Sequence, residues 1–419
     1  MTWDNITTLT ELESRTGTGT WLESSRHSDA DSMRRHFSMP AYDGSVFDYP
    51  SVVPGCLKHA RDNSAHSPAG GTDFMAFGKP GSGKSTQGLE WAIRLLEVNN
   101  RPGMSEAVVW RASESRSEWT PLAPWATVCL PASCDVEVRL ESTDPDAPGT
   151  REVALEDVVR EVRYYEDPRD LFENHVEAGK FHVVYPDPQM RGCQAVYEDS
   201  PHRYDLEFTD GDPVDHWWIA AVLARVEHGP FHEFVSFLID EVGDVIPQGA
   251  SKDAFDSYQK VELFRDVYVD ARKFGVSLYT YGHSPEDVHE KVRRKVRWYI
   301  TMNGIANPTK ASQWVGANSV PMDRDLTSHL PVGKCLMWTE TNFCYPLSWG
   351  DIPKPTDEEL RVRLSPAVPK DPSDVDDRSS GDDVEAVADG GTVSFDRFDR
   401  SSTTAEGAGV DATDGGGSA

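Results

Sequence analysis

Nine consecutive residues carry the densest chemistry in the chain: Gly78-Lys79-Pro80-Gly81-Ser82-Gly83-Lys84-Ser85-Thr86. They fill every fixed position of the phosphate-loop pattern G-x-x-x-x-G-K-[ST]. Glycines at 78, 81 and 83 let successive backbone N–H groups curl around an anion, and a helix that starts there adds partial positive charge. Gly78, Pro80, Gly81, Ser82, Gly83, Lys84, Ser85 and Thr86 form the expected nucleotide-binding set. Lys84 would reach the β- and γ-phosphates, Ser85 would hold Mg²⁺, and Thr86 would touch the α-phosphate. ATP and Mg²⁺ are the expected ligands. The competing reading is a Gly-rich turn that fits by chance.

The flanking elements argue against chance. Residues 74–77 read as a short buried strand running into the loop, and residues 87–97 as a helix with Leu89, Ala92, Ile93 and Leu96 on one stripe. A second acidic site follows much later. Residues 234–239 are almost all apolar, as in a central parallel strand, and end in Asp240-Glu241. In phosphate-loop NTPases an Asp placed this way helps to hold Mg²⁺. The adjacent Glu241 carboxylate would polarise an attacking water. A strand-end acid capping the next turn is the bland alternative. Residues 276–281 predict the neighbouring strand, and at its tip Thr280 or His283 would sense the γ-phosphate.

The remaining elements must position these groups. Strands are predicted at 107–111, 127–130, 181–185 and 298–302, an edge strand at 134–140, and a hairpin at 334–338 and 342–347. Residues 153–165 read as a strand or a short helix. Helices are predicted at 170–178, 214–228, 253–274 and 285–296. Alternating strands and helices imply an α/β fold with a mainly parallel, doubly wound sheet. Residues 1–68 read as an N-terminal extension with a short helix at 6–13, residues 69–351 as the core, and 112–212 as an insertion or elaborated sheet edge. His59, His66 and Cys56 in the extension offer a metal site or, more simply, isolated surface histidines. From 352 to 419 the chain reads as an acidic disordered tail, with seven acids and one base between 371 and 385. Residues 393–398 interrupt it as a docking motif or a random apolar patch.

Composition bounds the function. The 419 residues carry a net charge of −29, with acids spread over the whole length. This resembles proteins of salt-loving archaea and their viruses, whose acidic surfaces stay hydrated; an ordinary acidic protein is the alternative. Negative charge opposes nucleic-acid binding through phosphates, but in a salt-adapted protein local basic patches decide. The six cysteines form no C-x-x-C pair and read as reduced, buried small residues. No apolar run approaches about 18 residues, and the polar start Met1-Thr2-Trp3-Asp4 is no signal peptide. A cytoplasmic protein without membrane insertion is expected, with virion association open.

The block from Asp270 to Val288, with Arg272, Gly275, the strand to Tyr281, then Pro285, Asp287 and Val288, resembles the FtsK/HerA superfamily of DNA-pumping ring ATPases. The resemblance spans roughly residues 72–90 and 230–305. It implies a RecA-like (ASCE) phosphate-loop fold and ATP hydrolysis at subunit boundaries of a homo-oligomeric ring acting on double-stranded DNA. Within that family it points to genome-packaging or plasmid motors of haloarchaeal systems, with virion or capsid proteins as further partners. Arg272 matches the arginine thought to reach a neighbouring subunit's nucleotide; a cation satisfying a helix C-terminus is the equal alternative. His283 stands where the family has Gln, and residues 112–212 have no counterpart. The basic run 291–297 reads as a DNA channel, a subunit interface or a solvated salt-bridged face. An ATP-dependent assembly switch and a phosphate-loop kinase are the alternative functions.

Overall fold

The computed structural model describes residues 28–41, 55–57, 59, 72–100, 105–228, 234–305, 329–338, 344–354 and 356–367. All belong to one compact unit, Met1–Val368. The helix expected at 6–13, His66, the acid-rich stretch from 371 and the patch at 393–398 lie outside the described residues.

In chain order the strands are β1 (Asp73–Phe77), β2 (Glu106–Arg111), β3 (Ala126–Pro131), β4 (Cys134–Ser142), β5 (Thr150–Glu152), β6 (Glu161–Tyr165), β7 (Phe181–Val184), β8 (Phe234–Ile239), β9 (Val276–Gly282), β10 (Trp298–Met302), β11 (Lys334–Trp338), β12 (Cys344–Ser348) and β13 (Glu358–Pro366). Ten form one sheet in the order β12-β11-β10-β1-β9-β8-β2-β7-β3-β6. Every neighbour pair from β10 to β6 is parallel, and β11 and β12 close one edge antiparallel. The loop strand β1 is separated from the acid-bearing β8 by one strand, β9. This is the RecA-like (ASCE) order.

A parallel sheet must be covered on both faces, and strand alternation divides its side chains between two cores. Phe74 and Ala76 of β1, with Tyr279 and Tyr281 of β9, pack on one face beside helix α2 (Lys84–Asn99). Met75, Phe77 and Leu278 face the other core. That core also holds helices α3 (Cys193–Asp199), α4 (Trp217–His228) and α5 (Ser257–Ala271). Helix α4 opens with Trp217-Trp218-Ile219, residues of weak helix propensity, yet all three are fully buried. Burial contributes about 1.5–3 kcal/mol for a large apolar side chain, more than the ~0.7 kcal/mol that propensity can cost. Helix α1 (Ser28–His36), numbered first by chain order, lies against α2. Arg34 meets Glu97 at 3.3 Å, and Arg94 donates to the Pro40 carbonyl at 2.7 Å.

Of the two readings of residues 112–212, the strand order follows the elaborated sheet edge: β3, β6 and β7 extend the same sheet. Other expectations are corrected. Within 153–165 a 3-10 turn, Leu155–Asp157, precedes β6. The expected edge strand at 134–140 is β4, but it belongs to a second sheet, β13-β4-β5. Its partner β13 lies inside the stretch read as tail. The alternation Leu360, Val362, Leu364 explains why, with Leu360 and Val362 buried against the core. The helix expected at 285–296 shrinks to the turn Pro285–Asp287 and the four-residue helix Glu290–Arg293. Val288 breaks it by pairing as an isolated bridge with Pro247. The basic run there is tied up locally: Lys291 to Glu262 at 2.7 Å, Arg294 to Glu290, and Arg297 to Asp73 at 2.6 Å. His59 is not a surface histidine. It is buried, 2.9 Å from Glu106, and stacked on Phe234. No group of three or more His, Cys, Asp or Glu among the described residues could hold a metal ion, and no described helix is long and apolar enough to cross a membrane.

If β13 is part of the folded unit, Leu360→Ala lowers the unfolding free energy by about 2–4 kcal/mol in chemical denaturation. Arg363→Ala, at an exposed position of the same strand, shifts it by less than about 0.5 kcal/mol.

Candidate functional site

All the chemistry gathers where the parallel strands end. Leaving β1, the backbone is held by the Gly78 N–H to the Gly282 carbonyl and the Lys79 N–H to the Asn303 carbonyl, both 3.2 Å. The loop is thereby clamped to the strands on both sides of β1. Gly81 and Gly83 have φ of 75° and 90°, left-handed values that any side chain would strain. A Cβ on Gly78 would stand 2.9 Å from Met302 Cβ, so no larger residue fits. The first backbone bond returning to the loop runs from the Gln87 N–H to the Gly83 carbonyl at 2.9 Å, and no side chain caps α2. The amides of Lys84, Ser85 and Thr86 are thus the orphan donors of the helix start, pointed at the loop.

Lys84 is buried and lies across the loop. Its Nζ donates to the Gly78 carbonyl at 2.9 Å and to His283 Nδ1 at 3.2 Å. Burial pulls its ammonium below the usual lysine range, against the opposing pull of Asp240 and Glu241. A lysine can only donate, so Nδ1 of His283 accepts and its Nε2–H is left to donate. That Nε2 stands 2.9 Å from Glu241 Oε1. A continuous chain, Lys84 to His283 to Glu241, therefore links the phosphate side of the loop to the carboxylate beside it.

Asp240 and Glu241 leave β8 in a tight turn. The Glu241 N–H donates to Asp240 Oδ1 at 2.9 Å, which orients that carboxylate. Its other oxygen, Oδ2, lies 3.5 Å from Ser85 Oγ. Both are hard oxygen donors of the kind Mg²⁺ takes, and Ser85 and Asp240 would hold the ion there. Glu241 itself has φ of 50°, one of four non-glycine residues with positive φ among the described residues. Such a conformation costs on the order of 1–2 kcal/mol.

Arg116 was not singled out from sequence. The turn after β2, bridged between Ser113 and Arg116, carries its guanidinium to 3.4 Å from Glu241, 3.9 Å from Asp240 and 3.6 Å from Asp244. Arg111, buried at the end of β2, donates to the Asp240 carbonyl at 2.5 Å and pairs with Asp215. Both arginines brace the acidic turn, and no local motif marks either. Glu118 completes the electrostatics. Burial pushes its carboxyl up, and the charge of Asp240 adds to the rise.

One expected role changes on this geometry, and a second residue stands apart from the loop. Thr280 is fully buried inside β9, and its hydroxyl donates to the Phe74 carbonyl at 3.0 Å. It serves the sheet and cannot face a phosphate, so of the two candidates only His283 stands at the loop. Arg272 is exposed in the turn Arg272–Phe274, before β9 begins. The seven residues of β9 separate it from His283. At roughly 3.3 Å per residue that is more than 20 Å, out of reach of the loop of its own chain.

No protein-family model and no curated protein matches the sequence. Among solved structures, the chain is similar to the genome-packaging NTPase B204 from Sulfolobus turreted icosahedral virus 2 in complex with sulfate. The identity is 11%, over 67% of this chain and 97% of that one, with a TM-score of 0.35. It is also similar to the cytoplasmic domain of the Thermomonospora curvata type VII secretion ATPase EccC, at 12% identity over 67% of this chain and 25% of that one, TM-score 0.29. The N-terminal domain of zonular occludens toxin from Neisseria meningitidis matches at 11% identity over 68% and 95%, TM-score 0.27. None of these likenesses carries the assignment of fold or site, which rests on the strand order and on the loop geometry.

The left-handed turn gives a direct check. Gly83→Ala places a Cβ at φ 90° and 3.0 Å from the Trp349 ring. It is expected to lower the unfolding free energy by about 1–2 kcal/mol and to weaken binding of inorganic tripolyphosphate, measured by denaturation and calorimetry.

Proposed function

We propose that this edge of the sheet binds and hydrolyses ATP, and that the chain works as a homo-oligomeric ring motor translocating or packaging double-stranded DNA. The observation that carries the reading is the convergence of Lys84, Ser85, Asp240, Glu241 and His283 at one end of three adjacent strands. In this reading the loop amides and Lys84 hold the β- and γ-phosphates. Mg²⁺, held by Ser85 and Asp240, supplies charge neutralisation on the phosphate oxygens. Glu241 orients a water and takes its proton as the water oxygen bonds to the γ-phosphorus and the bond to the bridging oxygen breaks. His283, between Lys84 and Glu241, couples the state of the γ-phosphate to the base.

The ring reading is supported by the position of Arg272. Exposed and remote from its own loop, it is proposed to reach the nucleotide of a neighbouring subunit and neutralise charge there. The motor assignment is supported by the resemblance of the Asp270-to-Val288 block to DNA-pumping ATPases. The acidic composition supports a setting of high salt, in a haloarchaeal virus or plasmid system, in the host cytoplasm or with the virion.

Linear double-stranded DNA, in molar salt, is expected to raise ATP turnover several-fold. A rate unmoved by DNA at any salt leaves an ATP-dependent assembly switch instead. His283→Ala is expected to cut hydrolysis roughly tenfold or more, as loss of a group acting on a general base does. Thr280→Val, which loses only a hydrogen bond of about 1 kcal/mol inside the sheet, keeps turnover within about twofold.

A further inference from the structure

The γ-phosphate end of the site is marked by His283 and Glu241, on the β9 and β8 side of the loop. A nucleotide lying along the loop must then leave its nucleoside on the other side, toward β10, β11 and β12. Strand β12 is antiparallel to β11, which is antiparallel to β10, so the end of β12 returns to the edge that carries the loop. The next residue is Trp349.

Its placement is fixed from several directions. Carbon and nitrogen atoms of the indole, Cζ2 and Nε1, lie 3.0 and 3.3 Å from the point a Cβ on Gly83 would occupy. The Trp349 N–H donates to the Gly333 carbonyl at 3.1 Å. The Gly350 N–H donates to Glu90, on α2, at 2.6 Å. The ring packs against the core on the α2 side of the sheet and remains partly accessible. The result is a flat aromatic surface held against the phosphate-binding turn. An amphipathic ring with one apolar face and a wet edge is the side chain best suited to stack a heterocycle.

We propose that Trp349 is the stacking platform for the purine base of the bound nucleotide. This rests on the reading that the loop binds a nucleoside triphosphate, and it adds the residue that holds the nucleoside. Stacking of a base on an aromatic side chain carries a free energy whose loss weakens binding by roughly tenfold. The base contact and the phosphate contacts are separable, because Trp349 stands on a different element from Lys84 and Ser85.

The test compares ADP with inorganic tripolyphosphate, each with Mg²⁺, on the full chain by calorimetry. Trp349→Ala is expected to weaken ADP binding about tenfold and leave tripolyphosphate unchanged, while Trp349→Phe restores most of the ADP affinity. Equal ADP affinity in Trp349→Ala and the wild type overturns the proposal. So does a parallel loss of tripolyphosphate, which would make the indole a mere prop for Gly83. A wild-type chain that binds neither ligand overturns the underlying nucleotide reading as well.

Discussion

The site depends on one backbone turn. At Gly83 the chain adopts φ 90° and ψ 20° and passes directly into α2 with no side-chain cap. This leaves the first amides of a 16-residue helix aimed at a single point. The turn in turn needs its clamps, Gly78 to Gly282 on β9 and Lys79 to Asn303 beyond β10. The parallel order β10-β1-β9-β8 brings the loop, the sensor position and the acids to one edge. A different order would carry the same residues to places where they could not meet.

At that edge the charges are arranged as a coupled set. The Lys84 ammonium donates a hydrogen bond to His283 Nδ1, and the His283 Nε2–H donates to Glu241. Arg116 sits against the same carboxylate from the β2 side. Glu241 is thus held from two directions while its own backbone stores strain. A phosphate that drew Lys84 toward itself would release His283 and loosen the hold on Glu241. In the proposed reading this chain would couple phosphate occupancy to the freedom of Glu241.

How far the sequence could be read follows from the range of each interaction. The loop, the Asp240-Glu241 strand end and the β9 tip are contiguous patterns, and local periodicity locates them. Arg116 and Trp349 carry no motif; they reach the loop or its acids only through the sheet, from positions more than a hundred residues from Asp240 or from Gly83. Strand β13 was hidden by its acidic neighbours, although the alternation Leu360, Val362, Leu364 was on view. Its partner β4 lies more than 200 residues away. Thr280 shows a further limit. In a strand buried on both faces, alternation does not tell which side chain turns toward the site, and here it donates to Phe74 inside the sheet.

The central claim is that Glu241 acts on water while other groups hold the nucleotide. Phosphate release from ATP, measured beside ATP binding for the full chain and for Glu241→Gln in high salt, tests it most directly. The account predicts that the Gln variant binds ATP as the wild type does and loses about a hundredfold or more of its hydrolysis. Turnover unchanged in Glu241→Gln would contradict it.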